Sequence, residues 1–262
     1  HRCRARGDLV GQGHHRQPRP DLPELTARTD PMTRWTAVAL AAVLLGAPPF
    51  PASAVPPDEA VLSLEKYSTP KGRSLGTAYH AQLRQFSEQI YRCVPWVDIR
   101  KHGLGFNKPR FATADDRYLS VWLEIDQHEE TQFAALGREL RQSAMFSRYG
   151  VEMLRRLAAL PGLRTEPTLE GFGVILTWPK PGTNGKPGVQ PVNETLALFV
   201  DRASLLDFLA RKLTPPELAA RAKFTLFDGQ QEVGRLPLEV WEDSFMTTFK
   251  LPDYQPPSGR PC

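Results

Sequence analysis

Three things are scarce in this 262-residue sequence, and each scarcity closes off a chemistry. Cysteine occurs only at Cys3, Cys93 and Cys262. That is too sparse for a disulfide-stapled miniprotein or a Cys-x-x-Cys metal or redox motif. Histidine is confined to His1, His14 and His15 near the start and to His80, His102 and His128 later. No two of the later ones stand four apart around a glutamate, as a zinc-protease helix requires. Long apolar runs are missing too. The longest, Trp35 to Ala47, would span about 20 Å as a helix, short of the roughly 20 residues that cross a bilayer. No stable transmembrane span, cofactor or metal is expected. No segment is read as a Walker loop or as the strand–turn–helix nucleophile elbow of an α/β-hydrolase.

What the sequence does have is an address. Met32-Thr33-Arg34 gives a positive start to the apolar run, and prolines 48, 49 and 51 end it. Ala52-Ser53-Ala54 then supplies small residues where a signal peptidase reads them. Residues 32–54 are therefore expected to be a signal peptide cleaved near Ala54, and the protein to be exported, periplasmic or extracellular. Residues 1–31 are rich in Arg, His and Pro and are expected to be a non-native or disordered upstream extension. Arg6-Gly7-Asp8 carries no functional weight there. Residues 1–54 hold seven of the 33 Lys and Arg and four of the 29 Asp and Glu, so the rest of the chain is close to neutral. That removes the electrostatic support for nucleic-acid binding, and no nucleic-acid partner is expected. In an oxidising compartment Cys93 and Cys262 can pair.

Past the leader, residues 55–73 read as a flexible lead-in. Leu75, Tyr79, Leu83, Phe86 and Ile90 recur at helical spacing. "RKHGLGFNKPR", from Arg100 to Arg110, reads as a basic loop. "RYLSVWLEID" alternates as a half-buried strand that turns Trp122 away from Leu119, Val121, Leu123 and Ile125. Asp126 and Glu129 fit a helix-start capping box, followed by an apolar face of Phe133, Leu136 and Leu140. "GFGVILTW" and "TLALFV" are further strands. Asp201 and Thr214 cap helices, and Asp228-Gly229 turns a hairpin. The order strand, helix, strand, strand, helix, strand predicts an α+β class: an antiparallel sheet with helices on one face, ferredoxin-like (βαββαβ) and preceded by an extra N-terminal helix that covers Trp122. The domain is expected over residues 74–251, with a Pro-rich tail over 252–262.

Candidate chemistry is thin. Asp126-Gln127-His128-Glu129-Glu130 is best explained as a helix N-terminus, where the dipole favours acids. Arg100, Lys101, His102, Lys108 and Arg110, with glycines between them, are candidates for holding an anion such as an envelope polymer or a lipid headgroup. Asn193-Glu194-Thr195 is a glycosylation sequon only in a eukaryotic secretory route. No catalytic constellation emerges. The expectation is a non-enzymatic binding or accessory module of the cell envelope, with a protein or envelope component as partner. An exported hydrolase with a spatially assembled site is the alternative.

Overall fold

A computed structural model describes residues 55–94, 96–126, 131–183, 192–234 and 238–240, all within the unit Pro49–Cys262. Six strands form one sheet, β1 (Val97–Asn107), β2 (Arg117–Ile125), β3 (Leu169–Pro179), β4 (Asn193–Asp201), β5 (Lys223–Asp228) and β6 (Gln231–Glu232), in that spatial order. Every neighbouring pair is antiparallel except β2 and β3, which are parallel. The helices are α1 (Pro57–Ala60), α2 (Pro70–Cys93), α3 (Thr131–Ala135), α4 (Arg138–Met145), α5 (Val151–Ala159), α6 (Arg202–Leu209) and α7 (Pro215–Arg221). The class is α+β, with a mixed rather than purely antiparallel sheet.

The ferredoxin-like order does not form. That order would insert β4 between β2 and β3. Instead β3 lies directly against β2, and β4 and β5 continue outward. The reason is a strand that composition concealed. Residues 97–107, expected to be partly a basic loop, form β1 and take the other edge of β2.

The alternation in each strand separates two faces. On one, Leu104 and Phe106, Leu119 and Val121, Phe172 and Val174, and Leu198 and Val200 are all 0% exposed. The helices pack here. The Tyr79 ring of α2 sits 5.8 Å from Phe106, Phe133 of α3 is 6.3 Å from Trp178, and Phe146 is 5.7 Å from Phe224. Leu75, Leu83, Phe86 and Ile90 of α2 are buried as their spacing predicts, whereas Leu140 of α4 is exposed. Between α4 and α5 a π-helical turn, Phe146–Gly150, keeps the helix continuous. Gly150 lies there against Leu198, where a Cβ would approach to 3.0 Å.

Two buried polar clusters fasten the layers. Glu194, fully buried on β4, receives both arms of the Arg141 guanidinium and the indole N–H of Trp178 at 2.9 Å. A carboxylate so deep is tolerated because each of its oxygens has a donor. At the opposite edge, residues 55–69 form a strap rather than a flexible lead-in. Val61 bridges to Leu104 in parallel register, and the Leu62 N–H donates to the Leu104 carbonyl at 2.8 Å. Tyr67 is buried and its hydroxyl accepts the Phe106 N–H. Arg117 donates to the Phe106 carbonyl, to Thr69 and to Asp115. The outward backbone groups of Leu104 and Phe106 are thus capped, which closes this end of the sheet edge to further strands.

The sequence-level caps hold where they are described. Asp201 accepts the Ser204 N–H, and Thr214 with Glu217 forms a reciprocal capping box behind Pro215. Gly229 (φ +63°) turns the β5–β6 hairpin. The Asp126–Glu129 capping box, the cluster around His128, the tail and Cys262 lie outside the described residues, as do residues 1–54.

Candidate functional site

The second face of the sheet carries no helix among the described residues. On β2 it displays Tyr118, Ser120, Trp122 and Glu124, two residues apart along the strand. The expectation that Trp122 turns from the core holds, but α2 does not cover it, because α2 packs on the other face against Phe106. Instead the Trp122 indole N–H donates to Thr177 Oγ1 at 2.9 Å, and the Thr177 and Thr195 hydroxyls hydrogen-bond each other at 3.0 Å. This chain of groups crosses β2, β3 and β4 and fixes the ring.

Glycine and small residues make the floor. A Cβ on Gly173 would meet the Phe199 ring at 2.6 Å, and one on Gly171 would meet the Tyr118 ring at 2.5 Å. The two rings therefore lie across bare backbone of β3, a close approach that only glycine permits. Phe111, Tyr118 and Phe199 form an edge-to-face trio with centroids 5.5–6.0 Å apart. Phe111 is 38% exposed and carries the Lys223 ammonium 4.2 Å above its ring. Tyr118 and Trp122 stand four residues apart, so the two aromatic posts are separated by about 13 Å of shallow floor. Burial, and then the nearby Asp201, Asp116 and Glu170, push the Tyr118 hydroxyl pKa up.

At the Trp122 end, Arg100 lies 4.2 Å over the indole ring and 3.9 Å from Glu124. Both residues are half exposed, and each such contact is worth at most about 1 kcal/mol. Arg100 is therefore free to exchange partners with a ligand. It owes its position to a wide bulge in β1. From Ile99 to Leu104 the strand advances five residues while β2 advances two. His102 sits in the bulge at φ +57°, a conformation that costs a non-glycine residue energy. Asp98 stands directly opposite Glu124. Burial raises its carboxyl pKa above the usual range.

The five basic residues singled out in the sequence do not converge. Arg100, Lys101 and His102 occupy the bulge, where Lys101 pairs with Glu59 at 2.7 Å and His102 Nδ1 lies 3.4 Å from the Val61 carbonyl. Lys108 donates to the Thr113 carbonyl and Arg110 is exposed, both beyond the far end of β1. Cys93 ends α2, and its expected partner Cys262 is outside the described residues. Neither His80 nor His102 hydrogen-bonds a carboxylate or a serine among the described residues.

One motif escaped the sequence reading. Gly72-Arg73-Ser74-Leu75-Gly76 has the letters of Gly-x-Ser-x-Gly. It is not a nucleophile elbow, because it lies inside α2 behind the Thr69 cap rather than on a strand-to-helix turn. Gly72 and Gly76 instead receive the Tyr67 ring. Asp98 and Glu124 were also missed, since their pairing exists only once β1 is recognised as a strand. No helix among the described residues is long and apolar enough to cross a membrane. Comparison with protein-family models, curated proteins and solved structures finds no match.

Proposed function

We propose that the protein is an exported binding or accessory module of the cell envelope, delivered by the leader at residues 32–54, and that it meets its partner through the sheet face on which no helix packs among the described residues. One observation carries this reading: aromatic rings are fixed on a glycine floor while the strap caps the outward groups of β1 at Leu104 and Phe106. Phe111 is 38% exposed and Trp122 is only partly buried, and aromatics left partly in water are the anchors that recognition surfaces use. Arg100 and Lys223 add cations that are weakly held and can turn to an anionic group.

Titration of the purified chain with envelope polymer fragments and with anionic lipid vesicles tests it. Wild type is expected to bind one of them. Phe111→Ala and Trp122→Ala, still folded by circular dichroism, are expected to weaken that binding about tenfold each, the usual effect of losing one anchor. Unchanged affinity in both variants would exclude this face.

A specific observation also supports the hydrolase reading. Asp98 and Glu124 are carboxyls in different environments facing each other beside Trp122, and such pairs divide acid and base roles in hydrolysis. This reading requires turnover of glycosidic or ester substrates by wild type that is abolished in Asp98→Asn. Absence of turnover across such substrates returns the site to binding alone.

A further inference from the structure

The bulge that carries Arg100 is tied to two different parts of the fold. Ile99 pairs with Leu123 and Leu104 with Val121, and the residues between them leave the ladder. Arg100 reaches the sheet face, 4.2 Å over the Trp122 ring. The next two residues reach the strap. Lys101 Nζ lies 2.7 Å from Glu59, and His102 Nδ1 lies 3.4 Å from the Val61 carbonyl. Gly103 folds the loop back on itself, where a Cβ would meet the Arg100 carbonyl at 2.7 Å and the Trp122 Cβ at 3.0 Å. Leu104 ends the bulge, and its carbonyl accepts the Leu62 N–H of the strap. The contacts of Arg100 with Trp122 and Glu124 are exposed and too weak to fix the loop by themselves. His102, at φ +57°, holds a backbone that a non-glycine residue keeps only where its surroundings impose it.

We propose, resting on the reading of this face as a binding surface, that the docked strap positions Arg100 for an anionic ligand. Glu59, Lys101 and His102 are positioning residues. With the strap docked, the bulge holds the guanidinium over Trp122, where an anionic group can meet it. With the strap undocked, Lys101, His102 and Leu104 lose their partners and Arg100 leaves the ring. Strap and ligand are then coupled in both directions, because a ligand that favours this shape of the bulge also favours the docked strap.

Two measurements on the full chain separate the coupling from the reading it rests on. The first needs no ligand. An arginine Nε–H held over an indole is shifted upfield by the ring current, and Arg100→Lys identifies the signal by deleting it. Glu59→Gln, Lys101→Gln and His102→Gly are each expected to move that signal toward the position of a solvated arginine. His102→Gly suits the backbone there, since glycine adopts positive φ freely, so the fold is retained. An unmoved signal in all three overturns the proposal. The second measurement titrates the chain with phosphatidylglycerol vesicles and with soluble polyphosphate, one a surface and the other a free polyanion. Glu59→Gln removes a negative charge and Lys101→Gln a positive one, so a plain charge effect would shift affinity in opposite directions. Positioning instead predicts that both weaken binding, by up to about fivefold, the worth of one exposed cationic contact. Neither is expected to weaken it further in an Arg100→Ala background. Opposite shifts, or losses that add to that of Arg100→Ala, overturn the proposal. Binding of neither probe, with the Nε–H signal still moving in the strap variants, overturns the anion reading of the face and returns the strap–bulge link to a structural contact.

Discussion

Gln142 is fully buried on α4, and neither end of its side-chain amide has a hydrogen-bond partner among the described residues. Each such group forfeits its hydration for nothing, at a cost of about 1–3 kcal/mol. Gln142→Leu keeps the volume and removes both polar atoms, so it is expected to raise stability by about 1–3 kcal/mol in urea unfolding. A fall in stability would reveal that the amide has a partner. Gln142 lies just before the turn where the helix widens to π geometry, and nothing in its sequence neighbourhood marks it as core. The same opacity hid Asp98 and Glu124, which are two ordinary surface acids until the register pairs them. Trp122 was legible, because strict alternation along β2 fixed its side of the sheet.

Among the elements, α2 was read well and β1 was not, for one physical reason. Helical periodicity survives glycine, so Leu75 to Ile90 announced the helix despite Gly72 and Gly76. A strand whose pleat carries Gly103 and Gly105 and whose ladder is interrupted by a bulge looks like a loop. Those glycines serve close approach: a Cβ on Gly105 would meet the Tyr67 hydroxyl at 2.7 Å and Leu62 at 2.8 Å. The glycines of α2 serve it too. Gly76→Ala should gain about 1 kcal/mol of helix propensity if the position were open. With the Tyr67 ring 2.4 Å from the new Cβ and 1% exposed, overpacking of about 1–3 kcal/mol is expected to win. Thermal denaturation showing Gly76→Ala more stable than wild type would mean that the strap gives way freely.

For the whole molecule, the charged pairs set the response to acid. Lys180, donating to both oxygens, and then Arg138 hold the Asp228 carboxyl below its ordinary value, and Thr168 does the same for Glu166. A depressed carboxyl contributes stability above its unfolded pKa and loses it as pH falls through the folded one. Asp98, raised by burial, acts in the opposite sense and costs stability as pH rises through its elevated value. Unfolding measured from about pH 7 to about pH 2 is therefore expected to show a steep acid limb that Asp228→Asn flattens. Asp98→Asn is expected to stabilise the protein near neutrality and leave that limb in place. Identical pH profiles for both variants would refute the assignment. The α+β class was legible at this scale because the order of elements survives small errors. The sheet order was not, because one unrecognised strand changes every neighbour relation after it.

The parallel seam between β2 and β3 has a consequence in time. β4 reaches β5 through α6 and α7, whereas the β1–β2 and β3–β4 pairs each close over connections with no helix among the described residues. Their joint waits on the segment from Asp126 to Thr168, which has to bring distant residues into register. Contacts of long sequence separation form slowly because the intervening chain must be ordered first. Pulse-labelled hydrogen exchange during refolding is expected to find amides between β3 and β4 protected before those between β2 and β3. The two halves of the sheet would thus exist as separate fragments, with unsealed inner edges, during the interval in which a folding chain is most exposed to aggregation.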